Sequence, residues 1–117
     1  MKKRMQRIND EIAKTAADII NFEMSDPRIA TVVSVTGAIT TADLKFCKIS
    51  VSILEQDDQK PESVMEALTS AVGFVRKRIA DSLNLRHTPE ITFVFDDSIA
   101  YAMRLNRIMD ELKSKEN

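Results

Sequence analysis

Val64, Leu68, Val72, Val75, Ile79 and Leu83 recur at helical spacing and form one apolar stripe. Inside that stripe stands Gly73, one of only two glycines in the 117-residue chain. A glycine in a helix interior costs about 1 kcal/mol relative to alanine. The stripe keeps its phase on both sides of Gly73, so both halves bury one continuous face. A glycine at such a point permits a kink, or the close approach of another backbone. The expected unit is helix–kink–helix, with Ala71, Val72 and Gly73 at the kink and Pro61 in the first turn.

The flanking segments say what this unit packs against. Residues 4–24 place Met5, Ile8, Ile12, Ala16, Ile19 or Ile20, and Met24 on one helical face, and Pro27 ends the helix. In "IATVVSVTGAI", Val33, Val35 and Ile39 alternate with Ser34 and Thr36, a strand in which Gly37 marks a bulge or an end. After "TTAD", the run "LKFCKISVSIL" alternates Cys47, Ile49, Val51 and Ile53 against Lys48, Ser50 and Ser52, the clearest strand of the chain. The two strands predict an antiparallel hairpin. "EQDDQKPES" is a polar loop. After "NLRHTPE", Ile91, Phe93 and Phe95 alternate in a third strand. "DDS" offers a helix cap, and Ile99, Ala102, Leu105, Ile108, Met109 and Leu112 form a last amphipathic helix before a frayed "KSKEN". The expectation is one α+β domain over residues 1–117, with a core from about 4 to 112. Its order is α-β-β-α-(kink)-α-β-α, with helices packed on a three-stranded sheet.

Charge sets limits on function. Seventeen Lys and Arg balance eighteen Asp and Glu, which argues against a general nucleic-acid binder. Local patches still decide whether a phosphate backbone docks. Basic residues gather at Lys2, Lys3, Arg4 and Arg7, at Arg76, Lys77, Arg78 and Arg86, and at Arg104 and Arg107. A single cysteine, Cys47, excludes an internal disulfide and reads as buried and inert. The basic start has no apolar signal region after it and no run suits a membrane span, so a cytoplasmic protein without membrane contact is expected. No Cys/His metal spacing, phosphate loop or nucleophile elbow occurs, and no metal, cofactor or catalysis is expected.

The helix–kink–helix after α-β-β resembles the type II K-homology (KH) fold. In RNA-binding relatives of that fold a G-x-x-G loop at the kink clamps the nucleotide backbone. Here Ala71-Val72-Gly73 stands instead, which resembles the ribosome-binding factor A family. "EMSDPRI", "VTGAITTADLKFCKISVSIL" and "RHTPEITFVFDDSIAYAMRLNRIMDEL" resemble that family's first-helix exit, hairpin and final segment. Ala102 departs from it, at or near a position where relatives often carry Gly. Some relatives also carry a longer polar tail, and its contacts are not carried over. The resemblance implies a non-enzymatic factor that binds the free small (30S) subunit and 16S rRNA. It would promote late maturation and 16S 5′-end processing, with a role in the cold. Other 30S assembly factors are further candidate partners, and a monomer is the simplest expectation.

The candidate phosphate contacts are Lys3, Arg4, Arg7, Arg28, Arg76, Arg78, Arg86, Arg104 and Arg107. By default Arg76, Lys77 and Arg78 are a solvated face; Arg76 and Arg78 flank the stripe and could frame a groove. Replacing both with Glu is then expected to leave folding nearly intact, and Gly73→Leu to destabilise the domain. His87 reads as a surface or capping residue. Asp96 and Asp97 are better explained as helix-start residues than as a metal or acid–base pair. A protein–protein adaptor on the same fold is the alternative to an RNA-binding factor; the missing G-x-x-G and the neutral charge favour it.

Overall fold

A computed structural model describes residues 2–29, 33–53 and 61–116. The chain runs α1 (Lys2–Asp18), β1 (Val33–Thr40), β2 (Phe46–Ile53), α2 (Pro61–Ser70), α3 (Val72–Leu83), β3 (Glu90–Phe95) and α4 (Ser98–Glu116). This is the expected order. The polar loop after β2 lies, for residues 54–60, outside the described residues.

β2 is the middle strand, antiparallel to β1 and parallel to β3. The parallel pair follows from the α2–α3 crossover, which returns the chain to the end where β2 began. The inner sheet face offers Val33, Ala38, Cys47, Ile49, Val51, Ile91 and Phe93. Against it lie Ile12, Ala16, Ile19 and Ile20 from the first helix, Val64 and Leu68 from α2, and Val75 and Ile79 from α3. Desolvation inside this core pushes the Cys47 thiol pKa upward, so the cysteine is an unreactive core residue.

Two irregularities set which residues reach the core. At the end of α1 the chain widens into a π-helical turn, Ile19–Glu23. The extra residue lets both Ile19 and Ile20 point inward, where an unbroken α-helix would favour one of them. The second is a bulge at Thr36: Val35 pairs with Val51, but Gly37 pairs with Ser50. One extra residue reverses the alternation. Ala38 and Thr40 therefore turn inward, and Ile39, expected on the inner face, is 72% exposed. The Thr40 hydroxyl is buried opposite Cys47, with no partner but the weakly bonding thiol. A buried, poorly paired hydroxyl is unfavourable, so Thr40→Val is expected to raise stability by about 1 kcal/mol. A higher urea midpoint at unchanged slope would show it.

β1 is an edge strand, and two asparagines close its outer side. Asn21, in the π turn, donates from Nδ2 to the Val33 carbonyl at 3.0 Å, and its Oδ1 accepts the Val33 N–H at 3.4 Å. Asn9 accepts the Thr40 N–H at 3.0 Å. These contacts occupy backbone groups that would otherwise invite another strand.

The last helix departs from expectation. Every α4 side chain described is exposed, including Tyr101, Leu105, Ile108, Met109 and Leu112. Asp96 accepts the Ser98 N–H at 3.0 Å and Tyr101 N–H reaches the Asp97 carbonyl, so "DDS" caps the helix start as expected. The helix then leaves the sheet instead of packing on it. The radius of gyration is 16.9 Å, against about 13 Å for a compact chain of this length. The packed core thus ends at β3, short of residue 112. "KSKE" continues the helix to Glu116 rather than fraying, and Asn117 lies outside the described residues.

Candidate nucleic-acid interface

The basic residues separate to the two ends of the sheet. At one end is the β1–β2 turn. Thr41 N–H donates to Phe46 O, and the Asp43 carboxylate accepts from the Thr41 hydroxyl and from Lys45 N–H, which lowers its pKa. Leu44 adopts φ 61°, a left-handed conformation costly for a leucine. Its side chain lines a groove of about 850 Å³ together with Arg4, Met5, Ile8, Gly37 and Ala38. The α1 N-terminal half thereby crosses the turn end of the hairpin. The loop bearing Arg86 arrives at the same end, because it leads into Glu90, whose N–H donates to Lys45 O at 2.8 Å. Lys3, Arg4 and Arg86 are exposed there and have no acidic partner among the described residues. Arg7 approaches Glu11 at 3.5 Å, an exposed pair of little strength.

The opposite end holds Arg28, Arg104 and Arg107. Arg28 is committed to Asp26: its Nε and Nη2 donate to the carboxylate at 3.1 and 2.8 Å and its backbone N–H at 2.9 Å. This fork holds the Asp26 carboxyl below its usual range and fixes the turn around Pro27. Arg104 lies across a cleft of about 900 Å³ from Glu62 and Glu66 of α2. Three carboxylates, Glu62, Glu66 and Asp97, line that cleft, against Asp10 alone in the groove beside Arg4, which makes it the poorer seat for phosphate. Arg107 is exposed on α4.

Arg76 and Arg78 are neither free nor framing a groove. Arg76 donates to the carbonyls of Thr88 at 2.9 Å and Pro89 at 3.2 Å, strapping α3 to the loop that enters β3. Arg78 bonds Glu23 of the π turn at 2.8 Å. Converting both to Glu removes the strap and sets a second carboxylate against Glu23, so some loss of stability is expected where the sequence reading expected folding nearly intact. Lys77 between them is exposed. His87 is an exposed loop residue.

The kink is also built differently from its sequence reading. α2 stops at Ser70, and Ala71, at φ −96° and ψ 6°, takes the non-helical step. Its N–H is shared between the Ala67 and Leu68 carbonyls, both at 3.1 Å. Gly73 lies in the first turn of α3 with an ordinary φ, and a Cβ there would meet nothing within 4 Å. The glycine is not needed for the bend, and a Cβ has room there, so neither backbone strain nor a Cβ clash supports the destabilisation expected of Gly73→Leu. Gly73→Ala is expected to stabilise the domain by about 0.5–1 kcal/mol in thermal unfolding. What the glycine does provide is bare backbone beside Lys77 on an exposed surface.

Among the described residues, no three His, Cys, Asp or Glu side chains cluster as metal ligands, and no helix is long and apolar enough to cross a membrane. Sequence reasoning missed Asn9 and Leu44, which shape the turn end, and Asn21, which holds the start of β1 at the opposite end; the left-handed demand at Leu44 leaves no compositional trace.

A family model described as ribosome-binding factor A matches residues 4–109. The Clostridium beijerinckii ribosome-binding factor A is 41% identical over 106 residues, covering 91% of this chain and 90% of that protein. The Clostridium tetani protein of the same name is 40% identical over 116 residues, covering 99% and 95%. Among solved structures, the crystal structure of the Thermus thermophilus ribosome-binding factor A superposes with a TM-score of 0.69 at 18% identity, covering 78% of this chain and 93% of that one. A homology model of the Thermus thermophilus factor, fitted into a cryo-electron-microscopy map of its 30S complex, gives 0.63 at 17% identity, covering 76% and 91%. The family model spans nearly the whole chain, and the curated relatives align over almost their full length; this chain belongs to the ribosome-binding factor A family.

Proposed function

We propose that the chain is a non-catalytic assembly factor that binds the free 30S subunit through 16S rRNA, promoting late maturation and 5′-end processing, most importantly in the cold. One observation carries the reading: Lys3 and Arg4 of α1 and Arg86 of the loop before β3 lie at the end of the sheet where α1 crosses the β-hairpin, without ion-pair partners among the described residues. Cations left unpaired by the fold are available to phosphate, and a chain of net charge −1 binds RNA only through such a local field. The 30S complex of the Thermus thermophilus factor supports the choice of partner. The bare backbone at Gly73 offers a second approach, without the four-residue clamp of a G-x-x-G loop.

Cosedimentation with free 30S subunits and with whole ribosomes, across a salt series, tests this. Binding to free subunits that falls steeply with salt is expected. A protein–protein adaptor is the second reading, favoured by the exposed apolar side chains of α4; binding that ignores salt would support it.

A further inference from the structure

The groove between the first half of α1 and the β1–β2 turn offers more than cations. Much of its lining is apolar, from Met5, Ile8, Ala38, Ala42 and Leu44. Phosphate gains nothing from such a lining, whereas the face of a nucleobase does. The volume of about 850 Å³ lies in the range of roughly 300–1,000 Å³ that takes a small ligand. The turn side is preformed, because the Thr41 hydroxyl and Lys45 N–H both donate to the Asp43 carboxylate. Between them Leu44 is kept at φ 61°, which glycine or asparagine would adopt at lower cost. What the leucine adds at that cost is an apolar side chain on the groove wall. Strained residues of this kind gather where ligands are clamped.

The polar lining suits the edge of one base in particular. Asp10 lies in the groove with Arg4 and has no ion-pair partner among the described residues. A carboxylate weakens a seat meant for phosphate alone. It serves a base that presents two N–H donors side by side, and among the RNA bases guanine does so, through N1–H and N2–H. Asn9 lines the same groove. Its Oδ1 accepts the Thr40 N–H at 3.0 Å, which fixes the amide and leaves Nδ2 to donate, as guanine O6 requires. Arg4 in the lining and exposed Lys3 beside it supply positive charge for the attached phosphate.

We propose that this groove receives one unstacked guanine of single-stranded rRNA. Its Watson–Crick edge meets Asp10 and Asn9, its ring lies against the apolar lining, and its phosphate meets Arg4. The proposal rests on the RNA-binding reading above and adds to it a contact that reads a base. Paired RNA is excluded from the groove, because its Watson–Crick edges are already occupied. The site is separate from the α2–α3 junction, where a G-x-x-G loop would stand.

The test titrates the full chain, up to about 1 mM, into labelled single-stranded oligouridines that carry G, A or C at the centre, read by fluorescence anisotropy. The guanine oligomer should bind about tenfold more tightly than the others, the discrimination of one good bidentate contact. Asp10→Asn separates base reading from phosphate attraction, because the two move in opposite directions. Removal of a negative charge should leave binding of the A and C oligomers as strong or stronger. The preference for guanine should nevertheless fall below about twofold. Ala42→Leu, at an exposed turn residue, puts bulk into the groove and should weaken the guanine oligomer about fivefold at unchanged melting temperature. Equal binding of the three oligomers by the parent overturns the proposal, as does an Asp10→Asn variant that keeps the preference. If either occurs while 30S binding falls steeply with salt and is lost in K3E/R4E/R86E, the groove assignment fails and the ribosomal reading stands. Binding to 30S that ignores salt overturns that reading and this proposal with it.

Discussion

K3E/R4E/R86E is expected to bind free 30S subunits about 100-fold more weakly than the parent at about 0.1 M salt. Each phosphate contact contributes a salt slope of about 0.7–0.9, so at this salt each is worth somewhat less than a factor of ten. Loss of three should lower the slope by about two units or more, and reversal of charge adds repulsion. The three side chains are exposed and have no acidic partner among the described residues, so melting should move by less than the equivalent of about 0.5 kcal/mol. R104E/R107E makes the comparison at the opposite end of the sheet, where Glu62 and Glu66 already set an acidic field around Arg104. It should bind nearly as the parent does. If that pair weakens binding and the triple variant does not, the phosphate-facing end has been assigned the wrong way round.

Ile49→Ala should have the largest effect on folding, a loss of about 3–4 kcal/mol in urea unfolding. Ile49 is fully buried at the centre of the middle strand, between Ala38 on β1 and Phe93 on β3. Neither neighbour can refill the space: Ala38 has no reach, and Phe93 is held by the parallel register. Since domains of this size are stable by about 5–15 kcal/mol, the variant should fold with a much lower midpoint. A loss below about 1 kcal/mol would mean that α1 or α3 settles into the gap.

Elements with an uninterrupted period were legible in the sequence. The alternation of Cys47, Ile49, Val51 and Ile53 gave β2 and its inward face, and the stripe from Val64 to Leu83 gave both halves of the kinked helix with their buried side. Misreadings fall where one inserted residue shifts the phase. The bulge at Thr36 sends Ile39 outward, and the π turn admits both Ile19 and Ile20. Gly37 hinted at the first; nothing in "ADIINFE" hinted at the second. The basic residues were legible as a set, but their division was not, because Arg28, Arg76 and Arg78 find partners through turns and packing that composition does not encode. The amphipathic pattern of α4 was read correctly and its partner wrongly: periodicity reports that a face will be covered, not by what.

The parallel pairing of β3 with β2 bears on the order in which the chain folds. β1 and β2 are joined by a short turn and meet after a small loop closure, so they form early. β3 meets β2 with Phe46 opposite Glu90, and the whole α2–α3 unit must be traversed before that contact exists. Until then one side of β2 has no strand beside it, and Cys47, Ile49 and Val51 lack Ile91 and Phe93 as neighbours. A chain emerging from synthesis therefore holds an incomplete sheet until residue 95 is free. The strap from Arg76 to Thr88 and Pro89 closes at that same stage, because both carbonyls belong to the segment entering β3.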